Sequence, residues 1–386
     1  MDREQLQGTR MLRREAELPT TRGQERIERA LELGLPSAES IRDRKIPLFS
    51  RGGARFSGTG VYMNARSLED MRELGGQDVA VVGVPLDTGT TFRSGTRWGP
   101  QAMRAVSALP SGYNFELGVD LRESLTMVDV GDVSVIPANI EKSFDQIAKA
   151  LAYIHERAVF PVVLGGDHSI GYPDILGLAP YVDGNIGIIH FDRHSDLSEY
   201  NLDERMHGTP FFHATNIPNA PPSNLVQIGI GGWTGNREGV RNARERRATV
   251  VTIGDIERWG LERIAELALE TAWKNAKTVF LSFDIDSIDP AFAPGTGTPE
   301  AGGLLPREAL RMLHLIVREG LAGMEVVEVS PPYDVGDITS VLGVRIINDV
   351  LGILVDEGKL GRRPDATVKA NPAVERQEGD IGPTGG

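Results

Sequence analysis

The chain has 386 residues, of which 40% are hydrophobic, and this is enough for the core of a globular enzyme. Its 41 basic and 54 acidic residues give a net charge of −13 without any basic run, which disfavours nucleic acids and anionic membranes as partners. The absence of cysteine excludes disulfides, thiolate catalysis and cysteine-ligated metal centres.

The first 75 residues are polar and weakly periodic, and we predict that residues 1–75 form an N-terminal arm. A helix is expected over Thr21–Leu33, with Gly34 as its stop. We expect the arm to pack on the body of the protein or on a neighbouring subunit; a flexible tail is the alternative. The chain start lacks the apolar segment of a secretory signal, and no apolar stretch approaches a membrane span, so a cytoplasmic protein without a membrane partner is expected.

Eight apolar runs follow, and their β-branched composition predicts buried strands. They cover Val79–Val84, Leu125–Val130, Val159–Leu164, Asn185–Phe191, Leu225–Ile230, Thr249–Ile253, Val279–Asp284 and Met324–Val329. Helices are predicted between or after most of them, at Pro100–Ser107, Ile140–Arg157, Gly171–Ala179, Leu261–Lys274, Pro306–Arg318 and Ile338–Glu357. This alternation predicts an α/β domain with a parallel sheet covered on both faces, spanning residues 76–358, followed by a tail at 359–386.

Ligand-type side chains follow three of these strands. Asp167 and His168 come after one strand, the stretch 190–196 carries Asp192, His194 and Asp196 at alternate positions, and a third strand ends on Asp284 and Asp286. Alternate residues of an extended segment point to the same side, and ligands of parallel sheets bind beyond the carboxyl ends of the strands. One such stretch alone would be explained by acids that cap a helix, but three together predict a metal site.

The chemistry of this set favours two divalent cations over one. The six candidate ligands supply four carboxylates and two imidazoles: His168, Asp192, His194, Asp196, Asp284 and Asp286. Two cations about 3.5 Å apart acidify a water molecule between them and so produce a nucleophile at neutral pH. The donor types suit Mn²⁺, Ni²⁺, Co²⁺ or Zn²⁺, and sequence does not choose among them.

The same stretches resemble the signatures of the ureohydrolases, the family of arginase and agmatinase. They read Gly-Gly-Asp-His-Ser at 165–169, Asp-x-His-x-Asp at 192–196, and Ser-Phe-Asp-x-Asp-x-x-Asp-Pro at 282–290, which runs into Pro-Gly-Thr-Gly-Thr-Pro-Glu-x-Gly-Gly at 294–303. The resemblance covers about residues 75 to 355. It implies a three-layer α/β/α sandwich on an eight-stranded parallel sheet, assembly into trimers or hexamers, two Mn²⁺ or Ni²⁺ ions, and hydrolysis of a guanidinium carbon.

The resemblance also implies roles for single residues. One metal would be held by His168, Asp192, Asp196 and Asp284, and the other by Asp192, His194, Asp284 and Asp286. Glu328 matches the glutamate that binds the substrate guanidinium, and His207 matches the histidine that transfers a proton to the leaving nitrogen. Asp167 is expected to orient His168 or a metal-bound water. The alternatives are a buried capping acid for Glu328 and a surface-loop histidine for His207.

Departures from the common arginase and agmatinase pattern resemble a guanidinase branch, which includes nickel-dependent guanidine hydrolases and metformin hydrolase subunits. They lie at Arg193, 211–216, 230–233 and 329–334. We therefore expect a small cationic guanidine as substrate, with Ni²⁺ favoured over Mn²⁺. His213 and Trp233 are expected to close the space of a longer substrate tail, although a structural role for His213 is an open alternative. Arg193 is expected to be buried against acidic neighbours or a subunit contact and not to be catalytic.

Other readings of the sequence stay open. An agmatinase or guanidinobutyrase would share all six ligands. A non-catalytic partner subunit of a metformin-hydrolase-like complex is a different class of protein, and intact candidate ligands argue against it. A deacetylase-like amide hydrolase with one Zn²⁺ would lack the full six-ligand set.

Overall fold

The computed structural model describes residues 60–235 and 237–362. The helix predicted at Thr21–Leu33 lies outside these ranges, as do most of the predicted arm and tail.

A parallel sheet of nine strands forms the centre of the described part of the chain. The strands are β1 (Arg66–Ser67), β2 (Val79–Gly83), β5 (Met127–Asp132), β6 (Phe160–Leu164), β7 (Asn185–Phe191), β8 (Leu225–Ile230), β9 (Thr249–Thr252), β10 (Ala276–Asp284) and β11 (Gly323–Val327). Their spatial order is β1-β5-β2-β6-β11-β10-β7-β8-β9, and every pairing is parallel. A separate antiparallel hairpin joins β3 (Tyr113–Asn114) to β4 (Val119–Asp120).

Both faces of the sheet are buried, as the alternation within β2 shows. Val79 and Val81 belong to the core on one face, whereas Ala80 and Val82 belong to the core on the other. Successive strand residues point to opposite faces, so a strand that is apolar at every position needs cover on both sides.

Ten α-helices lie in the described residues, and the longer ones provide that cover. They are α1 (Gly99–Val106), α2 (Leu121–Ser124), α3 (Ile140–Glu156), α4 (Gly171–Leu178), α5 (Pro210–Ala214), α6 (Arg237–Arg246), α7 (Ile253–Trp259), α8 (Leu261–Ala272), α9 (Pro306–Ile316) and α10 (Ile338–Asp356). Residues of α1, α8, α9 and α10 join the core on one face, and α3, α4 and α5 pack on the other. The expected three-layer α/β/α sandwich is confirmed.

Helix α3 shows how the sequence places this cover. Asn139 caps its first turn by accepting a hydrogen bond from Lys142 N at 2.9 Å, an interaction that typically stabilises a helix by about 1 kcal/mol. Phe144, Ile147, Leu151 and Ile154 then recur at three- and four-residue spacing and are buried against the sheet.

The eight predicted strands are all present, with bounds shifted by three residues or fewer. The ninth, β1, is a two-residue strand at the edge of the sheet, too short to leave an alternating pattern. Helix α6 was also missed, because its buried residues are the small or polar Gly239, Asn242 and Ala243 and its apolar periodicity is therefore weak.

The expectation that no apolar stretch approaches a membrane span was wrong as a statement about length and composition. Within the described ranges, α10 is long and apolar enough to cross a membrane by length and composition. However, 72% of its most apolar window is buried inside the protein, where it packs in the core with β11 and α9. A buried core helix passes the same composition test as a membrane span.

Candidate metal centre and active site

The predicted ligands come together because four neighbouring strands end side by side. In the sheet, β6, β11, β10 and β7 are adjacent. The turn with Asp167 and His168 follows β6, Glu328 follows β11, Asp284 ends β10, and Asp192 follows β7. Parallel strands deliver their carboxyl ends to the same edge, so residues distant in sequence form one polar site.

A first cluster forms around the ring of His168. Its Nδ1 lies 3.1 Å from Asp192 Oδ2, 3.1 Å from Asp196 Oδ2 and 3.0 Å from Asp284 Oδ2. All four side chains are buried. One ring N–H can donate to only one of three oxygens, so a single nitrogen facing three carboxylates is poorly explained by hydrogen bonding alone.

A second cluster adjoins the first through Asp192. His194 Nδ1 lies 3.3 Å from Asp192 Oδ1 and 3.1 Å from Asp286 Oδ2. The ligand atoms of these three residues all lie within 4.8 Å of one another. Asp286 also accepts hydrogen bonds from Arg193 N at 3.3 Å and from Thr298 Oγ1 at 3.2 Å, which hold its carboxylate toward His194.

The two clusters fit divalent cations. His168 Nδ1, the nitrogen that faces the three carboxylates, is buried and has no hydrogen-bond partner among the described residues. Burial, together with the charges of Asp286 and Asp192, raises the pKa of Asp284 well above its usual value. Burying four carboxylates is costly unless their charge is neutralised, and two divalent ions would balance it.

Asp192 is the residue common to both clusters. Burial disfavours its charge, but hydrogen bonds with His168, His190 and His194 hold its pKa well below the usual range. It is therefore the carboxylate best prepared to stay ionised, as a shared metal ligand requires.

Sequence reasoning missed two supporting residues. His190 Nε2 lies 2.8 Å from Asp192 Oδ2, and its other ring nitrogen lies 2.9 Å from Gln227 Nε2. Ser282 Oγ lies 2.8 Å from His168 Nε2. His190 lies on β7, two positions before Asp192, and Ser282 lies on β10, two positions before Asp284, so the two-residue strand period could have found them.

Glu328 and His207 are in direct contact. His207 Nδ1 lies 2.9 Å from Glu328 Oε1, which also accepts a hydrogen bond from His168 N at 2.9 Å. The other oxygen, Glu328 Oε2, is buried without any partner among the described residues. On the far side of the ring, His207 Nε2 lies 2.7 Å from Thr91 Oγ1. This arrangement leaves one carboxylate oxygen of Glu328 free for a ligand.

Charge and burial set the protonation of this group. Burial opposes charge on His207, but the nearby carboxylates, Glu328 first among them, raise its pKa to about 9. Burial and the charge of Glu328 raise the pKa of Asp167 to about 6. Asp167 accepts hydrogen bonds from Ser169 N at 3.0 Å and Gly89 N at 2.8 Å. It thus caps the turn that carries His168. Its bond with Gly89 also holds the loop after β2 against the site.

Backbone geometry makes these positions possible. A Cβ on Gly166 would lie 1.9 Å from Leu86 O, so only glycine fits beside the neighbouring backbone. Asp196 and Glu328 have positive φ values of 44° and 62°, which are rare for residues with side chains. Such strain, of order 1–3 kcal/mol for each residue, is concentrated at functional sites.

A cavity of about 390 Å³ opens onto the clusters. Its described lining residues are Thr91, Phe92, His194, Ser195, Asp196, Ser198, Asn201, His207, Gly208, Thr234, Gly235, Thr298 and Pro299. His194, Asp196 and His207 therefore face the space that a substrate would enter.

The two residues predicted to close off a longer substrate tail lie elsewhere. His213 is absent from this lining; its Nε2 lies 3.2 Å from Glu199 O and its ring packs near Tyr172, as the structural alternative requires. The side chain of Trp233 is 98% exposed, although the next residue, Thr234, lines the cavity. Neither placement supports contact with a small substrate.

Arg193 is buried, as expected, but not against an acidic partner. Its Nη1 donates to Gly229 O at 2.9 Å and its Nη2 to Ala301 O at 3.4 Å. No carboxylate oxygen of the described residues lies within 4.0 Å of its guanidinium nitrogens. The alternation along the strand end directs it away from the side shared by Asp192 and His194.

Known proteins share this arrangement of segments. A sequence model described as the arginase family matches residues 77–352, well over half of the 386-residue chain. The chain is 36% identical over 309 residues to a guanidinobutyrase from Pseudomonas aeruginosa (80% of this chain, 96% of that one) and 39% identical over 280 residues to a mitochondrial agmatinase from Gallus gallus (72% and 82%). The solved structure of proclavaminate amidino hydrolase from Streptomyces clavuligerus matches with a TM-score of 0.73 at 34% identity, covering 78% of this chain and 98% of that one. The family match spans every segment of the site.

Proposed function

Because the chain belongs to the arginase family, whose members hydrolyse guanidino compounds, we propose that its own substrate is free guanidine or a small N-substituted guanidine. The products are urea and either ammonia or an amine. The observation that carries the proposal is the unpartnered, buried oxygen of Glu328 beside two clusters suited to divalent ions.

In this proposal the two clusters hold two divalent ions, Ni²⁺ in preference to Mn²⁺. One ion would be held by His168, Asp192, Asp196 and Asp284, and the other would be held by Asp192, His194, Asp284 and Asp286. When bound, the ions acidify a water molecule and so supply the nucleophile.

The protein's own groups bind the substrate and move protons. Glu328 Oε2 accepts N–H groups of the planar guanidinium, while Oε1 stays fixed by His168 N and His207. A His207 that is protonated at neutral pH donates from Nδ1 to Glu328 and from Nε2 to Thr91. The protonated ring gives one proton to the leaving nitrogen and becomes neutral, and that nitrogen departs as ammonia or an amine.

The lining of the cavity favours a substrate without a charged tail. Its described residues include neither Lys nor Arg, and the charge of His207 is already paired with Glu328, so the carboxylate of a guanidino acid would have no free cationic side chain to pair with. Asp196 is the one carboxylate among them, and a metal ligand cannot also bind the distal ammonium of agmatine. Free guanidine has neither a carboxylate nor a distal ammonium group, so it needs neither partner. Because similar proteins are a guanidinobutyrase and an agmatinase, guanidinobutyrate and agmatine are the alternative substrates.

A substrate panel tests this choice. Ammonia and urea release is measured with guanidine, methylguanidine, metformin, agmatine, arginine and guanidinobutyrate, after loading with Ni²⁺ or with Mn²⁺. We expect the highest kcat/KM for guanidine with Ni²⁺. A higher kcat/KM for agmatine or guanidinobutyrate would overturn the choice, and inactivity toward all six with bound metal would favour a partner-subunit role.

The pH dependence of turnover tests His207. A group whose pKa is raised keeps its proton below that value, so we expect kcat to fall as pH rises through about 9. His207→Ala should lower kcat by about a hundredfold, keep the metal content and lose this high-pH limb. His314→Ala on α9, outside the cavity lining, is the matched control and should keep the wild-type profile. An unchanged profile in His207→Ala would contradict the assignment.

We also propose a cytoplasmic homo-oligomer, a trimer or a hexamer. Support comes from exposed apolar side chains around the β3–β4 hairpin, at Leu109, Tyr113 and Phe115. Exposed apolar groups that cluster on one face commonly mark a subunit contact.

A further inference from the structure

A second cavity, of about 620 Å³, adjoins the active-site cavity, and Ser195 and Gly235 line both. Three arginines line the second one: Arg193, Arg237 and Arg244. No acidic side chain is among its described lining residues, and the others include the apolar Ile230, Val240, Ala243, Ala248 and Val250. The cavity is thus cationic at some points and apolar at others.

Arg193 provides the second, independent observation. It is only 3% exposed, and its Nε has no hydrogen-bond partner among the described residues. The guanidinium lies so close to Gly231 that a Cβ there would come within 2.9 Å of Nη1, and Gly231 also lines the cavity. A buried guanidinium without an ion pair is costly, and an anion bound beside it would offset that cost.

Two acids that interact electrostatically with Arg193 do not fill this role. The charge of Arg193 acts on Asp289 and Glu300. Burial raises the pKa of each carboxyl, but hydrogen bonds and the charge of Arg193 lower it below its usual value. Both carboxylates are already occupied. Asp289 accepts hydrogen bonds from Ala291 N at 2.9 Å and Gly302 N at 2.7 Å, and Glu300 accepts from Trp233 N and Thr234.

We propose that the cavity lined by Arg193, Arg237 and Arg244 binds a small organic carboxylate with a short apolar chain. The carboxylate pairs with the guanidinium groups, and the alkyl part lies on the apolar lining. Guanidinium and carboxylate groups form charge-assisted, often bidentate, hydrogen bonds. The site is separate from the one that binds the guanidino substrate, and the inference does not depend on which guanidino compound is hydrolysed.

Calorimetric titration of the full-length, metal-loaded protein with sodium butyrate tests the proposal, with sodium chloride at equal ionic strength as the blank. We expect saturable binding that Arg193→Gln or Arg244→Gln weakens by about tenfold or more. Arg241→Gln is the matched control. Arg241 lies on α6, the helix that carries Arg244, and it is exposed but does not line the cavity. Arg244 is also exposed, so its variant carries the test should Arg193→Gln fail to fold.

Three outcomes would overturn the proposal. The first is no saturable binding of butyrate, or equal weakening in Arg241→Gln and the lining variants. The second is tighter binding of inorganic phosphate than of butyrate, since the apolar lining favours only a ligand with an alkyl chain. The third is competition, in which butyrate raises KM for the best substrate of the panel and so binds in the active-site cavity. An unchanged KM with saturable butyrate binding supports a separate site.

Discussion

Replacing Asp284 by Asn is expected to remove bound metal and to lower kcat by about a thousandfold or more, since the activated water depends on the metal. Asp284 Oδ2 lies 3.0 Å from His168 Nδ1 at the centre of the first cluster. Its Oδ1 accepts a hydrogen bond from Asp286 N at 2.8 Å, and the amide oxygen of Asn can keep that bond. The change therefore removes a charge with little loss of local structure.

Stability separates a metal ligand from a structural acid. In the metal-free protein, burial and the charges of Asp286 and Asp192 raise the pKa of Asp284 well above its usual value. As pH rises above the unfolded-state pKa, ionisation of this carboxyl therefore increasingly opposes folding, and the effect is complete only above the raised folded-state pKa. After metal is removed with EDTA, Asp284→Asn should have a Tm equal to or above that of the wild type.

Metal content by mass spectrometry, kcat, and Tm with and without EDTA are the measurements. Asp145→Asn is the control, because the Asp145 side chain is 57% exposed and pairs with Lys149 on the surface of α3. It should keep both metal and activity. Two results would contradict the assignment. One is wild-type metal content in Asp284→Asn, and the other is a Tm difference between the variant and the wild type that is as large in EDTA as with metal bound.

Glu328→Gln is expected to lower kcat/KM by roughly a hundredfold or more, mainly through a higher KM, and to leave metal content unchanged. Gln keeps an oxygen for the hydrogen bonds from His168 N and His207. It replaces the unpartnered Oε2 with an NH₂ group, which repels the N–H groups of a guanidinium. Losing one charged hydrogen bond and gaining a donor–donor contact accounts for this magnitude.

Glu325→Gln is the matched control. Glu325 lies on β11, the strand that ends directly before Glu328, and it is equally buried and receives the same chemical change. Burial and Glu325 together raise the pKa of Asp174 well above its usual value, so Asp174 can donate its proton to residue 325, and the amide oxygen of Gln can still accept it. KM should stay within about twofold of the wild type. Equal KM values for Glu328→Gln and the wild type would exclude Glu328 as the guanidinium-binding residue.

Much of the molecule could be predicted from local pattern. Continuous apolar runs separated by amphipathic helices predicted all eight principal strands and the layered fold, because burial on two faces forces that composition. The alternation at Asp192, His194 and Asp196 pointed to convergent ligands, because the strand period is two. Among the elements that were missed, β1 and α6 lack an apolar periodicity of their own, and β3, β4, α2, α5 and α7 are seven residues long or shorter.

The sequence by itself therefore determined the sheet, its covering helices and the candidate ligands, since these follow from the chemistry of short segments. Only the tertiary structure decided which side chains meet. It paired Glu328 with His207 across 121 positions of the chain, left the other Glu328 oxygen free, and placed His213 outside the cavity. It also left Arg193 without an acidic partner beside a second cavity. The physical reason is that the order of strands in the sheet, which no local pattern encodes, fixes the distances between groups on different strands.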